Sequence, residues 1–301
     1  KNEYKNGTIT EEQAIEQGKL VGYSDSRGIV TAEGKRVDSI TSKSNTTHTM
    51  VSEDYFMPHP AFIDGTDNKF ENGEWDEELA GLWIGKFEPS IRSTTEISIQ
   101  QGVASLRTDI DSAYTYSKNY LIELNSHMLK SSEWGAAAYL TESCFGRNGM
   151  DISQNRNTSY YTGGGNNKSY ISNANQSTTG NVYGIYDMSG GTYEFTASYY
   201  KDADDTILAN APSFASGTSD KYSTAYDGSV LEQAYKSGDA TLETKNWHYD
   251  ADYFIRSNLP FFDYGGMCWS TANDAGIFKF GANEGNNNDR YTFRLRISFL
   301  S

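Results

Sequence analysis

The stretch from Asn155 to Thr179 consists mainly of Asn, Ser, Thr, Gly and Tyr, and it limits the fold more than any other segment. Such a composition cannot bury enough apolar surface for a core of its own. This stretch must therefore lie as a long loop over a core that other segments form. A second polar stretch covers roughly Lys201 to Thr244. The sequence predicts a few short strands and helices embedded in long loops.

The segments that can supply the core are short and rich in aromatic rings, since the chain contains 22 Tyr, 14 Phe and 5 Trp. The run from Leu82 to Glu88 is typical of a first core strand. Apolar residues at helical spacing predict one helix over Ser112 to Leu129 and a second over Glu133 to Leu140. We expect these two helices to pack against a sheet.

The C-terminal segment predicts a hairpin that returns through the core. Its first strand carries Ile277, Phe278 and Phe280, and its second strand alternates apolar residues with Arg294 and Arg296. An Asn-rich loop separates the two strands. The side chains expected to be mostly buried are those of Phe278, Phe280, Phe293 and Leu295.

The N-terminal region differs in composition from the rest of the chain. The first fifty residues are polar, with a short helix expected from Thr10 to Leu20. From Tyr55 onward the composition changes, as Pro58 and Pro60 lead into a turn-rich loop and then into the first predicted core strand. The sequence therefore predicts a polar appendage or stalk over residues 1–54 and one ligand-binding domain over residues 55–301.

The charge balance excludes two classes of partner. The chain carries 25 Lys and Arg against 40 Asp and Glu, a formal net charge of −15. This charge repels phosphate backbones and anionic lipids alike. No stretch approaches the roughly 18 consecutive apolar residues of a transmembrane helix. Nucleic acid and direct membrane contact by this segment are therefore not expected.

Three segments in order carry a resemblance to a known family. They are SSEWGAAAYL from Ser131, GNVYGIYDMSGGTYEF from Gly180, and the region from Gly265 to Arg294. Together they resemble the branch of the C-type lectin fold that contains the formylglycine-generating, sulfatase-modifying enzymes, over roughly Pro58 to Leu300. The resemblance implies an α+β fold of C-type lectin type, with short strands, two helices and long loops.

Within that superfamily the chain is more similar to surface and pilin-associated proteins of Gram-positive gut bacteria and their prophages. These include the variable proteins of diversity-generating retroelements. The resemblance implies an extracellular adhesin or receptor-binding protein on a cell surface or phage particle. Its partner would be a protein or glycan on another cell or a host surface.

The same resemblance places a variable stretch at Asn258 to Arg294. Codons for Asn are among those that adenine-directed mutagenesis changes. The Asn residues of interest in this stretch are Asn273, Asn283, Asn286, Asn287 and Asn288. An Asn-rich loop also arises on structural grounds alone, because Asn tolerates turns and positive φ. Diversification and ordinary turn formation therefore both explain this composition.

Aromatic side chains crowd the C-terminal quarter, where Trp247 to Trp269 contains eight rings in 23 residues. Exposed Tyr and Trp supply large contact areas at low entropic cost, as they do in antibody paratopes. We expect ligand contacts from Tyr264, Met267, Trp269, Asn273, Lys279, Asn283, Glu284, Asn286, Asn288 and Arg290.

Catalysis is not expected. Oxidases of this superfamily bind copper through paired C-terminal cysteines, whereas this chain has Cys268 alone in that region and Cys144 far upstream. The four His residues are scattered and form no iron-binding motif. Two alternatives to a ligand-binding protein remain: a relative of the formylglycine-generating oxidases, and a structural subunit of a pilus or phage particle.

Two groups of acidic residues have structural and functional interpretations. Asp187 and Glu194 flank a Gly-Gly turn and are expected to accept backbone N–H groups or to pair with a buried Arg such as Arg294. Asp64 and Asp67 lie in a turn-rich loop whose oxygens are of the kind that calcium prefers. No cofactor is expected, and calcium is the one alternative that this loop leaves open.

Overall fold

The computed structural model describes residues 23–25, 28–30, 39–41, 47–49, 59–62, 79, 81–164, 169–201, 211–217, 221–227, 238–241, 244–253, 259–269, 274–286 and 289–298. The chain divides into two compact units, Lys1–Gly81 and Leu82–Ser301. The division thus falls later than the boundary predicted between residues 54 and 55. Within the described ranges, no helix combines the length and the apolar character needed to cross a membrane.

The first unit contains two short antiparallel strand pairs. Strand β1 (Tyr23–Asp25) pairs with β2 (Gly28–Val30), and β3 (Ser39–Thr41) pairs with β4 (Thr47–Thr49). A 3-10 turn follows at Pro60–Phe62. The helix predicted over 10–20 and the predicted calcium loop around residues 64–68 lie outside the described residues.

The second unit mixes short strands with helices, which confirms the predicted α+β class. In chain order its elements are β5 (Trp83–Ile84), β6 (Ser90–Ile91), β7 (Ile97–Ser98), α1 (Ile110–Tyr120), β8 (His127–Met128), α2 (Ser131–Glu142), β9 (Tyr193–Lys201), α3 (Pro212–Gly217), β10 (Thr224–Asp227), β11 (Phe261–Gly266), β12 (Ala275–Asn283), β13 (Tyr291–Phe293) and β14 (Leu295–Ile297). The 3-10 turns of this unit lie at Ile122–Leu124, Thr162–Gly164, Tyr170–Gln176 and Trp247–Tyr249.

The central sheet is built around β9. One edge of β9 pairs antiparallel with β11, which in turn pairs antiparallel with β12. The other edge takes two parallel partners, β13 along residues 193–195 and β10 along residues 198–201. A separate antiparallel sheet has the order β5-β14-β8, and β6 pairs with β7.

The predicted C-terminal hairpin is wrong in its pairing. Strands β12 and β13 both run parallel to β9 and lie on opposite sides of it, whereas a hairpin requires antiparallel neighbours. Alternation of apolar residues reveals a strand but not its partner. The partner of β13 is β9 because Tyr291 stacks on two rings of that strand, with centroids 5.1 Å from Tyr193 and 4.7 Å from Phe195.

Both predicted helices exist, but their ends were predicted with different accuracy. The second matches α2 closely, since the Glu133 carboxylate accepts the Lys130 backbone N–H at 2.9 Å and fixes the helix start. The first was predicted too long, because α1 ends at Tyr120. There the Ser126 hydroxyl accepts the Leu121 backbone N–H at 2.8 Å and turns the chain.

The central sheet is buried on both faces, with α2 against one face and both α1 and α3 against the other. On one face Trp134 of α2 packs with Tyr264 and Phe278, and on the other Ile110 of α1 packs with Phe261. Successive residues of β11 therefore point into different clusters, as the two-residue period of a strand requires. The predicted burial is confirmed for Phe278, Phe280, Phe293 and Leu295.

Arg294 joins the two sheets where β13 ends and β14 begins. Its guanidinium is fully buried and donates to both carboxylate oxygens of Glu194, with Nε to Oε2 at 2.9 Å. It also donates from Nη1 to the carbonyl oxygen of Gly85 at 2.7 Å and from Nη2 to that of Tyr186 at 2.9 Å. All three nitrogens of the side chain are thereby bonded, which confirms the predicted pairing of Glu194 with a buried Arg.

Two further buried carboxyl groups surround this pair. Asp187 accepts the Gly163 backbone N–H at 2.9 Å and the Asn155 side-chain amide at 2.9 Å, as the structural interpretation of Asp187 predicts. Glu88 accepts both the backbone N–H and the hydroxyl of Thr192 at 3.0 Å. Burial raises the pKa of Glu88 well above its usual value, and the nearby charges of Asp187 and Glu194 raise it further. Burial also raises the pKa of Asp187, and it raises that of Glu194 to about 7, so all three carboxyl groups are shifted in the same direction.

Replacing Glu88 with Gln is expected to change how stability depends on pH. A carboxyl group whose pKa is raised in the folded state stabilises the fold below its unfolded pKa, and this contribution is lost as pH rises toward the folded pKa. The free energy of unfolding of Glu88→Gln, relative to the native chain, should rise between pH 5 and pH 8. The slope cannot exceed about 1.4 kcal/mol per pH unit for one group. Urea titrations at four pH values measure it, and parallel pH profiles of the two chains would contradict it.

Candidate ligand-binding surface

The structure separates the ten predicted ligand contacts into groups. Trp269, Glu284, Asn286 and Arg290 are exposed, and Asn283 is half-buried. Asn273 and Asn288 lie outside the described residues. The side chains of Tyr264, Met267 and Lys279 are buried.

The three buried residues correct the prediction, and each has a physical reason. Tyr264 stacks on Trp134 with centroids 5.1 Å apart, and its hydroxyl donates to the Asp239 carbonyl oxygen at 3.3 Å. Lys279 Nζ donates to Asp263 Oδ1 at 2.5 Å, an ion pair inside the sheet. Met267 packs in a small apolar cluster with Tyr160 and Cys268. Aromatic and cationic residue types are common in binding surfaces, but here their partners hold them in the interior.

Two of the exposed predicted residues belong to a row in which two aromatic side chains lie between two arginines. Arg107 Cζ lies 4.6 Å from the ring centroid of Tyr160, whose ring meets that of Trp269 edge to face at 5.5 Å. Arg290 Cζ lies 5.7 Å from the centroid of Trp269. We call Arg107, Tyr160, Trp269 and Arg290 the arginine–aromatic row. Trp269 is 48% exposed and can contact a ligand, whereas Tyr160 is only 7% exposed and supports the row from beneath.

Trp269 is positioned by backbone bonds that hold the segment after β11. The Cys268 backbone N–H donates to the Gly191 carbonyl oxygen at 3.0 Å, and the Gln154 side-chain amide donates to the Met267 carbonyl oxygen at 2.8 Å. Gly191 has φ +72, and a Cβ there would lie 2.7 Å from a Glu88 carboxylate oxygen. The buried acidic cluster therefore supports the turn on which Trp269 stands.

Hydrogen bonds to the backbone at and just before the start of β13 position Arg290 and Arg107. The Tyr193 backbone N–H donates to the Arg290 carbonyl oxygen at 3.0 Å, and the Thr108 backbone N–H donates to that of Tyr291 at 2.9 Å. Arg107 Nη1 donates to the Asp289 carbonyl oxygen at 3.1 Å, which brings the two arginines into one neighbourhood.

Tyr160 is fixed by an unusual backbone conformation. It has φ +57, a region that residues with a side chain adopt rarely. The side-chain oxygen of Asn157 accepts the backbone N–H groups of Ser159 and Tyr161 and so shapes the turn. The Tyr160 carbonyl oxygen accepts the Ser105 backbone N–H at 2.9 Å, which brings Tyr160 beside Arg107. Such local strain persists where the surrounding structure fixes it, often at binding sites.

An open cavity of about 560 Å³ adjoins the Arg107 end of the row. Its wall combines the apolar side chains of Ile91, Val103, Ala104 and Leu106 with polar ones. The residues that line it are Ser90, Ile91, Gln100, Val103, Ala104, Ser105, Leu106, Arg107 and Asp289. The volume falls in the range of about 300–1,000 Å³ that is usual for ligand sites.

Two titratable groups at the row, Tyr160 and Cys268, are buried. Burial raises the pKa of the Tyr160 phenol and of the Cys268 thiol, and the nearby Glu88 raises that of Cys268 further. Both groups are therefore neutral at physiological pH, and the thiol lacks the thiolate character of a nucleophile. Cys144 and Cys268 are both free cysteines. Among the described residues, no group of three or more His, Cys, Asp or Glu side chains could hold a metal ion.

The sequence prediction missed Arg107 and Tyr160. Arg107 follows a short apolar run with no recognisable motif, and Tyr160 lies inside the polar stretch that was predicted only as a covering loop. The adjacent tyrosines Tyr160 and Tyr161 are the one available signal, since a polar loop has no need of two neighbouring rings. Their contact with Trp269 depends on long-range packing.

No protein-family model and no curated protein matches the sequence.

Proposed function

We propose that this chain is a surface-displayed ligand-binding protein with a C-type-lectin-like fold. It acts as an adhesin or receptor-binding protein outside the cell, on a cell surface or phage particle. Its activity is recognition of a partner on another cell or a host surface, without catalysis. The C-terminal segment from Asn258 to Arg294 supplies part of the binding surface and is diversified by a retroelement.

The arginine–aromatic row beside the cavity carries this proposal. Trp, Tyr and Arg are the residue types that dominate binding hot spots, because they combine large contact area with directed hydrogen bonds. Here Trp269 and Arg290 come from the C-terminal segment, while Arg107 and Tyr160 come from elsewhere in the fold. A buried scaffold that holds its loops by backbone bonds can present such a surface at low entropic cost.

Two alternatives are weighed by their chemistry. An oxidase related to the formylglycine-generating enzymes needs a close cysteine pair, whereas burial keeps the Cys268 thiol protonated and Cys144 is free. A structural subunit would use the same surface against neighbouring copies. Self-assembly of the purified chain in a concentration-dependent way, measured by sedimentation velocity, would favour the structural subunit.

Replacing Trp269 with Ala is expected to weaken ligand binding about tenfold or more, the usual effect of losing a central aromatic contact. The measurement is saturable binding of the fluorescently labelled chain to intact bacterial cells and to cultured epithelial cells. Tyr183→Ala is the matched control, since Tyr183 is 86% exposed and does not belong to the row. Equal loss in the two variants, or no saturable binding to either cell type, would count against the proposal.

The proposed diversification has its own test at the level of the gene. We expect the encoding locus to contain a reverse transcriptase and a near-copy of the coding segment for residues 258–294 that differs at adenines. A locus with neither element would leave a fixed adhesin, and the binding proposal would then rest on the row alone.

A further inference from the structure

The two arginines of the row differ from the buried cations of the second unit in their carboxylate partners. Arg294 and Lys279 are each hydrogen-bonded to a buried carboxylate. In the described part of the chain, Arg107 makes no ion pair, and the nearest carboxylate to Arg290 is that of its exposed neighbour Asp289 at 3.9 Å. A chain with 40 acidic residues against 25 basic ones thus leaves two guanidinium groups open on one surface.

Stacking prepares these guanidinium groups for a planar anion. Arg107 lies over the face of Tyr160 and Arg290 over that of Trp269, which restricts both side chains. A guanidinium that stacks through its face keeps N–H groups on its edge for bidentate bonds to a carboxylate. The ordering of the arginines is therefore complete before a ligand arrives, and this lowers the entropic cost of binding.

The adjoining cavity supplies the second half of a binding site. Ile91, Val103 and Leu106 give it an apolar wall beside Arg107. Ser105 also lines it, and the Ser105 hydroxyl is buried without a hydrogen-bond partner among the described residues. Buried polar groups are normally paired, so an unpaired hydroxyl in a cavity wall indicates a bond that a ligand completes.

We propose that the row and cavity together bind a carboxylate-bearing peptide segment of a partner protein. Carboxylates of this segment lie against Arg107 and Arg290, and a neighbouring aliphatic side chain enters the cavity. This inference rests on the proposed function of the same surface and names the chemical class of its partner.

A peptide fits the wall of this site better than a sugar or a nucleic acid. Sugars require closely spaced polar partners for their hydroxyls, whereas much of the described cavity wall is aliphatic. The net charge of −15 opposes a densely charged phosphate backbone but tolerates one or two carboxylates at a local pair of arginines. A peptide in which acidic and aliphatic side chains alternate matches this site, where two arginines lie beside an aliphatic cavity wall.

The test uses the full chain and two capped hexapeptides, Leu-Asp-Leu-Glu-Leu-Asp and its amide counterpart Leu-Asn-Leu-Gln-Leu-Asn. NMR of the arginine Nε–H signals follows each titration. We expect the acidic peptide to shift the Arg107 and Arg290 signals and to bind at least about tenfold more tightly than the amide peptide. The affinity should fall as NaCl is raised from 0.15 to 0.5 M, because the pair is exposed to solvent.

Two variants test whether the arginines of the row cause the preference for the acidic peptide. Arg107→Gln combined with Arg290→Gln should abolish the preference for the acidic peptide. Arg92→Gln, which removes an arginine that is 71% exposed and does not belong to the row, should leave it unchanged. Equal affinity for the two peptides, or tighter binding of glucuronate than of the acidic peptide, would overturn the inference.

The outcomes separate this inference from the proposal beneath it. If Trp269→Ala abolishes cell binding but the acidic peptide shows no preference, the surface is the binding site and its partner has different chemistry. If Trp269→Ala has no effect on cell binding, the surface itself is wrongly assigned.

Discussion

Replacing Arg294 with Met is expected to lower the free energy of unfolding by about 3–5 kcal/mol, the usual cost of removing one partner from a buried ion pair. Met preserves most of the side-chain volume, so the expected loss of stability is electrostatic. Glu194 would lose its bidentate donor, and the carbonyl oxygens of Gly85 and Tyr186 would lose their N–H partners. Urea titration followed by circular dichroism measures the difference.

The pH dependence of this variant separates charge from packing. Without Arg294, Glu194 would be an uncompensated buried carboxylate beside Asp187, so the variant should bind a proton there on folding. Burial already raises the pKa of Glu194 to about 7 in the native chain despite Arg294, so the deficit should shrink as pH falls from about 9 toward 7 and stay level below that.

Two companion variants sharpen the result. Arg294→Lys keeps the charge but loses the fork geometry, and it should fall between the native chain and Arg294→Met. Glu194→Gln combined with Arg294→Met removes both charges and should recover part of the stability. A deficit of Arg294→Met that stays below about 1 kcal/mol at every pH would contradict a role of this pair in holding the sheets together.

The sequence predicted those parts of the fold that depend on local pattern. Helix α2 was found because its apolar spacing is contained in the short run from Glu133 to Leu140. Burial of Phe278 and Phe293 followed from their strand alternation. Class α+β and the packing of two helices against a sheet were confirmed on the same kind of reasoning. The pairing of Glu194 with a buried Arg294 was also confirmed, although these residues lie 100 positions apart.

The sequence predictions that failed concern features that depend on contacts between distant segments. The pairing of β13 with β9 instead of β12 is decided by which rings meet, and the period of two is identical in both cases. Likewise, no partner was predicted for Arg296, which is buried with Glu133 of α2 3.3 Å from its Nε. Charge pairing across the core is not visible in a local window.

The candidate surface was predicted in part for the same reason. Residue type and position identified Trp269 and Arg290, while Lys279 and Tyr264 have the same character but point inward along their strands. Arg107 and Tyr160 join the surface only because the Ser105 and Tyr160 backbones are hydrogen-bonded. Composition can thus propose members of a binding surface, but only the fold selects among them.

Gly135→Ala tests a conflict between local preference and packing, and packing is expected to prevail. In an isolated helix this change would add about 1 kcal/mol of stability, since Ala is the better helix former. In the fold, a Cβ at Gly135 would lie 1.9 Å from the Gly238 carbonyl oxygen and 3.1 Å from the Asp239 carbonyl carbon. Backbone must therefore move, and we expect a net loss of about 3 kcal/mol in the free energy of unfolding.

The segment opposite Gly135 has little freedom to yield. Residues 238–241 are buried, and the Asp239 carbonyl oxygen accepts the Tyr264 hydroxyl at 3.3 Å. Ala136→Gly is the matched control, because it makes the reverse exchange at the next position of α2, which is half-buried, and should cost only the propensity difference of about 1 kcal/mol. Both variants are measured by urea titration. A larger loss in Ala136→Gly than in Gly135→Ala would mean that helix propensity, and not the close approach of the 238–241 backbone, explains the glycine in α2.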